Sequence, residues 1–143
     1  MYTGLLHAHS GLRWIVLVLL VWALIKAISG WTGKKEFQKL PSLLALIFTH
    51  IQLLIGLFLY FKSSNVSFQS GVMESSVLRF YTVEHILMMI IAIGLITFGF
   101  SSAKRLEAAL AKHKRISITY GLGLLIILAS IPWPFRGLGT GWF

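Results

Sequence analysis

Four apolar segments, at about residues 5–29, 42–61, 81–101 and 116–133, constrain what this chain can fold into. A helix needs about 20 apolar residues to cross the hydrocarbon core of a bilayer, which is about 30 Å thick. The fourth segment is the shortest and needs its basic flank to complete a span. The sequence therefore predicts one all-α domain over residues 1–143, an integral membrane four-helix bundle of up-down topology.

The composition fits this prediction and excludes several classes of protein. Of the 143 residues, 57% are hydrophobic, and thirteen Lys and Arg stand against four acidic residues. In a soluble protein this charge would suggest a nucleic-acid partner, but here the charges lie between apolar segments, so we expect a lipid bilayer and no nucleic acid. The chain has no cysteine, which excludes disulfides, iron–sulfur clusters and covalent c-type haem.

The basic residues also predict an orientation. Residues 34–39 and 104–115 are rich in Lys and Arg, whereas residues 62–80 and the tail after residue 133 carry few. Because positively charged loops stay in the cytoplasm, both termini are expected to face outward. The first segment lacks a basic region before it and a small-residue cleavage site after it, so we do not interpret it as a secretory signal.

The first segment opens with ionisable residues, His7, His9 and Arg13, on its membrane-entering turns. An ionisable residue inside a membrane is a functional-site hypothesis by default. With a rise of about 1.5 Å per residue, Arg13 and His85 lie ~24 Å from the cytoplasmic helix ends, His9 ~30 Å and His50 ~12 Å. His9 and His85 are therefore expected near the outer face, and His50 in the inner half.

Two histidines at similar depth suggest a haem site. The first and third helices run in the same direction, so in an up-down bundle they face each other diagonally across the core. This arrangement is typical of b-type haem, whose iron takes one imidazole on each face. The candidate iron ligands are His9 and His85, and the candidate partners for the haem propionates are Arg13, Arg79, Arg136 and His7.

Structural interpretations of the same residues stay open. Arg13 and Glu84, at similar depth, are predicted to form an intramembrane ion pair, with or without haem. His50 is interpreted as a core histidine bonded to a carbonyl or to a hydroxyl of Thr49, Thr119 or Tyr120. His113, between two lysines, is interpreted as solvated. Met88 and Met89 are more typical of core packing than of copper binding.

Three functions fit the sequence. The first is a haem-b protein of electron transfer, working as a carrier or subunit rather than as an autonomous enzyme. The second is a haem-free accessory or assembly subunit of a membrane complex, in which the polar cluster is structural. The third is a site for a quinone or other small molecule, with Glu84 moving protons. A copper-handling variant using His7, His9, Met88 and Met89 ranks below these, and homo- and hetero-oligomers are both open.

Two short motifs carry a resemblance to a family. The opening His-Ala-His-Ser-Gly-Leu-Arg-Trp at 7–14 and the Val-Glu-His at 83–85, with the four-span length, resemble small bacterial membrane proteins known as cytochrome b-like. The layout is more distantly similar to the halves of haem A synthase and the membrane anchors of succinate dehydrogenase. The resemblance implies haem b, electron transfer with respiratory-chain subunits, a place in the bacterial inner membrane, and His9 and His85 as ligands. His50 does not fit a simple two-haem scheme.

The predicted orientation can be tested by cysteine labelling in cells. Because the chain has no native cysteine, single substitutions report their own side of the membrane. Ser67→Cys should react with an impermeant maleimide from outside, and Lys35→Cys only after permeabilisation. The reverse pattern would show that the termini face the cytoplasm.

Overall fold

The computed structural model describes residues 1–143 and is all-helical. Its four main helices are α1 (Tyr2–Gly33), α2 (Leu40–Lys62), α3 (Ser76–Arg105) and α4 (Ala109–Ser130). Within α3, Phe80–Glu84 is π-helical, and after α4 a short 3-10 turn covers Pro134–Arg136. The all-α prediction is confirmed.

Three of the helices, α1, α2 and α3, are long and apolar enough to cross a membrane, whereas α4 is not among them. The structure therefore confirms helices of the length and composition that a membrane span requires. Four spans, and the side on which the termini lie, stay predictions. Every helix nevertheless carries exposed apolar side chains, and on α4 Ile118, Leu122 and Leu125 are 46%, 48% and 64% exposed. This i, i+4, i+7 spacing places an apolar stripe on the outside of α4 as well.

The helix boundaries follow from local chemistry. After α1, Lys34 takes a left-handed conformation (φ 51°), and its N–H bonds back to the carbonyl of Gly30. Such a residue after the last helical turn is a common way to end a helix. Pro41 lies in the first turn of α2, where the N–H that it lacks has no helical partner anyway.

The helices form a ring in which α1 and α3 occupy opposite corners, as the sequence predicts. α1 packs on α2 and α4, and α3 packs on α4 and, much less closely, on α2. The carbonyl of Trp142 is bonded to the side chains of Arg13 and Trp14, so the tail returns to the end of the bundle where α1 begins. We call this the terminal end, and the opposite end, with residues 34–39 and 104–115, the lysine end.

Small residues allow α3 and α4 to approach closely. A Cβ added at Gly123 would lie 2.8 Å from Ile96 Cγ1 and 3.2 Å from the carbonyl oxygen of Ala92. A Cβ at Gly99 would overlap the side chain of Thr119. Backbones that approach this closely gain many van der Waals contacts between the two helices. The α3–α4 contact is therefore the tightest side of the ring, and α2–α3 is the loosest.

We expect Gly99→Ala to destabilise the protein by about 1–3 kcal/mol, since Thr119 is buried and cannot move aside. Gly94→Ala, on the same helix, is the matched control, because a Cβ there meets no atom within 4 Å. Thermal unfolding in detergent would measure both. Equal melting temperatures for the two variants would contradict the close contact.

Candidate functional site

A cavity of about 230 Å³ lies at the terminal end of the bundle, between the four helices and under the tail. We call it the histidine cavity. Its polar lining includes His9, Arg13, Gln52, His85 and Thr140, and the remainder is mainly apolar. A few polar side chains therefore lie together in a cavity whose walls are otherwise mainly apolar.

The rings of His9 and His85 both line this cavity and lie edge to face. Their centres are 6.5 Å apart, and their planes are inclined by 77°. The two side chains come together because α1 and α3 are diagonal neighbours in the bundle and both histidines lie near its terminal end. The structure therefore brings together the two residues that the sequence analysis singled out, while their binding of iron stays a prediction.

The surroundings of His85 fix which of its nitrogens carries hydrogen. Nδ1 lies 2.8 Å from the carbonyl oxygen of Ser130. A carbonyl oxygen can only accept, so Nδ1 is the protonated nitrogen, and in the neutral ring Nε2 keeps its lone pair. The π-helical segment Phe80–Glu84 ends directly before His85, and the Phe80 ring lies 5.6 Å from that of His85. Single π turns occur frequently at functional sites.

The position of the His9 ring is less firmly fixed than that of the His85 ring. A Cβ at Gly56 would lie only 3.0 Å from His9 Cε1, so α2 has a glycine where the ring comes close. Gln52 donates from Nε2 to the backbone carbonyl of His9 at 2.8 Å. The buried atoms His9 Nδ1, Gln52 Oε1 and Arg13 Nε have no hydrogen-bond partner. Unsatisfied buried polar atoms are costly, and such a group in one cavity indicates a ligand or water site.

Arg13 is 8% exposed and is held by the tail. Its Nη2 donates to the carbonyl of Trp142 at 2.6 Å. The guanidinium carbon lies 5.4 Å from the centre of the Trp14 ring and 5.7 Å from that of Trp133. The charge is therefore held by one neutral carbonyl and two aromatic faces.

The predicted ion pair between Arg13 and Glu84 is wrong. Glu84 pairs instead with Arg79, whose Nε lies 2.8 Å from Glu84 Oε1. The physical reason is the π-helical segment, because its wider turn brings residues five apart to the same side of the helix. Glu84 is thereby held by Arg79, and Arg13 is left without an acidic partner.

The other predicted cations do not line the histidine cavity. Arg79 is occupied by Glu84, and His7 is exposed. Arg136 donates to the carbonyls of Ala129 and Ile131 and lies over the ring of Phe80. Of the four candidate partners for a propionate, the structure places Arg13 alone in the cavity wall.

The residues of the copper variant do not come together. Met89 and His9 line the histidine cavity, whereas His7 and Met88 do not. The structure contains no group of three or more His, Cys, Asp or Glu residues able to hold a metal ion.

The two remaining histidines have structural contacts. His50 Nδ1 donates to the carbonyl of Leu46 at 2.8 Å, and its Nε2 lies 3.3 Å from Thr97 Oγ1. The predicted carbonyl partner is therefore confirmed, although the hydroxyl comes from Thr97 and not from the three candidates named above.

His113 is not solvated, contrary to our interpretation. It is 4% exposed, and its Nε2 lies 3.1 Å and 3.2 Å from the carbonyls of Lys35 and Glu36. Gly30 leaves the space that the ring fills, since a Cβ there would overlap it. The chain carbonyls just beyond α1 need donors, and the imidazole of His113 provides one.

Gln52 and the tail residue Thr140 are site residues that the sequence analysis missed. Gln52 had a signal, as the one amide side chain in the segment at 42–61. The tail residues had none, because only folding brings them over the cavity.

No family model, curated protein or solved structure matches the chain.

Because Arg13 and Glu84 have different partners, their substitutions should act independently. We expect the losses in stability of Arg13→Leu and Glu84→Leu to add in the double variant within about 0.5 kcal/mol. The Arg79→Leu, Glu84→Leu pair is the matched cycle and should show coupling, although only modest, since this ion pair is partly exposed. Thermal unfolding in detergent gives both cycles. Recovery of stability in the Arg13, Glu84 double variant would show that these two charges do meet.

Proposed function

We propose that this chain is a membrane b-type haem protein that takes part in electron transfer, with the haem held by His9 and His85. We further propose that it spans the bacterial inner membrane four times, with the terminal end and the haem near the outer face. The exposed apolar stripes on all four helices and the lysines collected at the opposite end support this placement.

The observation that carries the proposal is the spacing of the two imidazoles. If both rings held one metal atom, each through a nitrogen at about 2 Å, their centres would lie roughly 6 Å apart. The rings of His9 and His85 are 6.5 Å apart. That distance suits an atom held between the rings.

The hydrogen bond of His85 supports a ligand role. A metal-binding histidine usually donates its other ring N–H to a carbonyl or carboxylate, which fixes the tautomer and the direction of the ring. The Nδ1 of His85 has such a bond to Ser130. The buried Nδ1 of His9 has no partner, and Gln52, with an unpaired Oε1, is the residue that holds the His9 backbone. A bond between these two atoms would complete the same arrangement.

Haem fits these two histidines better than a bare metal ion does. Zinc in proteins takes at least three protein ligands, and the structure offers no group of three ligating residues. Haem iron takes its four other nitrogens from the porphyrin and needs only two from the protein. When bound, the haem would supply a one-electron redox centre. The apolar residues of the cavity would exclude water from it, since Val16, Ile127 and Ile131 line its wall.

Arg13 is the group we assign to a propionate. It is buried, and no acidic residue lies within 4.0 Å of it. The chain cannot easily supply one, because Glu84 is paired with Arg79 and the three other glutamates are exposed. A buried cation is costly without an opposite charge, and a carboxylate can bind a guanidinium through two hydrogen bonds. The neutral carbonyl of Trp142 holds that place less strongly.

The haem assignment is tested by absorbance spectra of the protein purified from cells with ample haem. The wild type should show the spectrum of low-spin, six-coordinate haem b, and His9→Ala and His85→Ala should each abolish it. His50→Ala is the matched control, because His50 does not line the histidine cavity. It should leave the spectrum nearly intact.

A fold check separates loss of ligand from loss of structure. The two ligand variants should keep the helical circular dichroism and the elution volume of the wild type. Wild-type spectra in both variants would refute the ligand assignment. A wild-type protein that carries no haem would refute the proposed function itself.

A further inference from the structure

A second pocket, of about 160 Å³, lies at the lysine end of the bundle, beside the segment that joins α1 to α2. Its polar wall includes Lys26 and Ser29 of α1, Lys35 and Gln38 of the joining segment, and His113 of α4. We call it the lysine pocket. It lies at the opposite end of the bundle from the histidine cavity, and no residue lines both.

The fold brings two lysines of this pocket to the same part of α1. The side chain of Lys35 runs back along the helix, since a Cβ at Gly33 would lie 3.2 Å from its Cε, and its Nζ lies 3.0 Å from Ser29 Oγ. Lys26 is three residues before Ser29, so these two are neighbours on the helix surface. The ammonium group of Lys35 therefore lies beside the turn that carries Lys26, and like charges placed so close repel each other.

No carboxylate neutralises this charge. The pair of Arg79 and Glu84 is the only ion pair within 4.0 Å in the chain, so both lysines lack an acidic partner. Glu36 is the one acidic residue of the pocket wall, and it is exposed. A third cation, Lys112, lies against the ring of Phe37 in the same wall, with its Nζ 5.6 Å from the ring centre. The pocket therefore carries an excess of positive charge, which favours an anion.

The backbone of the pocket wall also offers hydrogen-bond donors. The N–H groups of Glu36, Phe37 and Gln38 have no acceptor within the protein, and neither has that of Ser42 in the first turn of α2. Free N–H groups of loops and of helix starts are suited to the oxygen atoms of a phosphate. His113 holds the joining segment in place, because its Nε2 donates to two carbonyls of that segment.

Apolar side chains continue from the pocket toward the middle of α1. Trp22 and Ile25 lie four residues before Lys26 and Ser29 respectively, hence on the same side of the helix, and Ile25 is 60% exposed. Because α1 is long and apolar enough to cross a membrane, this surface would face lipid chains. A free phosphate ion gains nothing from such a surface, whereas the acyl chains of a phospholipid would cover it.

We infer that the lysine pocket binds the phosphate group of an anionic phospholipid. Lys26 and Lys35 would bind the phosphate oxygens, and the acyl chains would lie along Trp22 and Ile25. Basic pockets between membrane helices on the cytoplasmic side bind the headgroups of anionic lipids. Of the proposed function, only the placement of α1 in a membrane is assumed, and haem plays no part, since it would lie at the other end of the bundle.

The test is native mass spectrometry of the full-length, delipidated protein in detergent, titrated with phosphatidylglycerol and with phosphatidylcholine of the same acyl chains. Phosphatidylglycerol carries a net negative charge, whereas the choline group cancels the charge of its phosphate. The first lipid should therefore bind about tenfold or more tightly than the second. The absorbance spectrum of the same sample reports haem separately.

Two double variants with the same change in charge locate the site. Lys26→Gln with Lys35→Gln should weaken phosphatidylglycerol binding about twentyfold, since each lysine near a lipid phosphate contributes about fivefold. Lys104→Gln with Lys114→Gln, at the same end but outside the pocket wall, is the control and should bind like the wild type. Lys26→Arg with Lys35→Arg keeps both charges and should retain binding. Unchanged melting temperatures would show that a loss of binding is not a loss of fold.

Two soluble competitors separate a lipid from a free phosphate. Glycerophosphoglycerol, the same headgroup without acyl chains, and inorganic phosphate should not displace phosphatidylglycerol when added at equal concentration. Displacement by either would assign the pocket to a soluble phosphate and would overturn the lipid assignment. Equal binding of the two lipids, or equal losses in the pocket variant and its control, would overturn the phosphate site itself.

Discussion

The scarcity of hydrogen-bond partners inside an apolar bundle is the constraint on which the rest of this structure depends. A polar group in apolar surroundings has no water to bond with, so it must find its hydrogen-bond partner within the protein. Several buried hydroxyls donate to carbonyls of their own helix, as those of Thr49, Ser117 and Thr119 do. Of the four buried polar atoms without a partner, three belong to residues of the histidine cavity, namely His9, Arg13 and Gln52. The exceptions to the constraint thus mark the site.

The four sides of the helical ring differ in how closely their helices pack. The α3–α4 side is the tightest, and the α2–α3 side is the loosest. On the α3–α4 side, Gly99 and Gly123 let the backbones approach until no methyl group would fit. His85 lies on α3 and donates its hydrogen bond to the carbonyl of Ser130 on α4, so the tight side orients the ring. On the α2–α3 side the same helix leaves a groove, crossed by the contact of His50 with Thr97. One helix therefore serves an enclosed cavity on one side and a lateral opening on the other.

The tail completes the enclosed part. Its glycines at 137 and 139 take positive φ angles of 67° and 78°, which glycine adopts readily and which turn the chain back over the bundle. Leu138 is buried, and its carbonyl accepts a hydrogen bond from the hydroxyl of Tyr81. The carbonyl of Trp142 accepts a hydrogen bond from Arg13. The tail thus closes the cavity that the helices leave open. It also provides the neutral carbonyl that holds Arg13 where the chain offers no carboxylate.

The sequence by itself determined the helices, their apolar faces and the approach of His9 to His85, because hydrophobic periodicity and depth along a helix are local quantities. Only the tertiary structure decided which polar atoms pair. The π-helical segment places Glu84 beside Arg79, and the tail places the carbonyl of Trp142 beside Arg13. Gly30 has no side chain, and the ring of His113 fills the space beside it. Each choice depends on a turn width, a chain return or a packing gap. None of these is encoded in the type and spacing of the residues that finally meet.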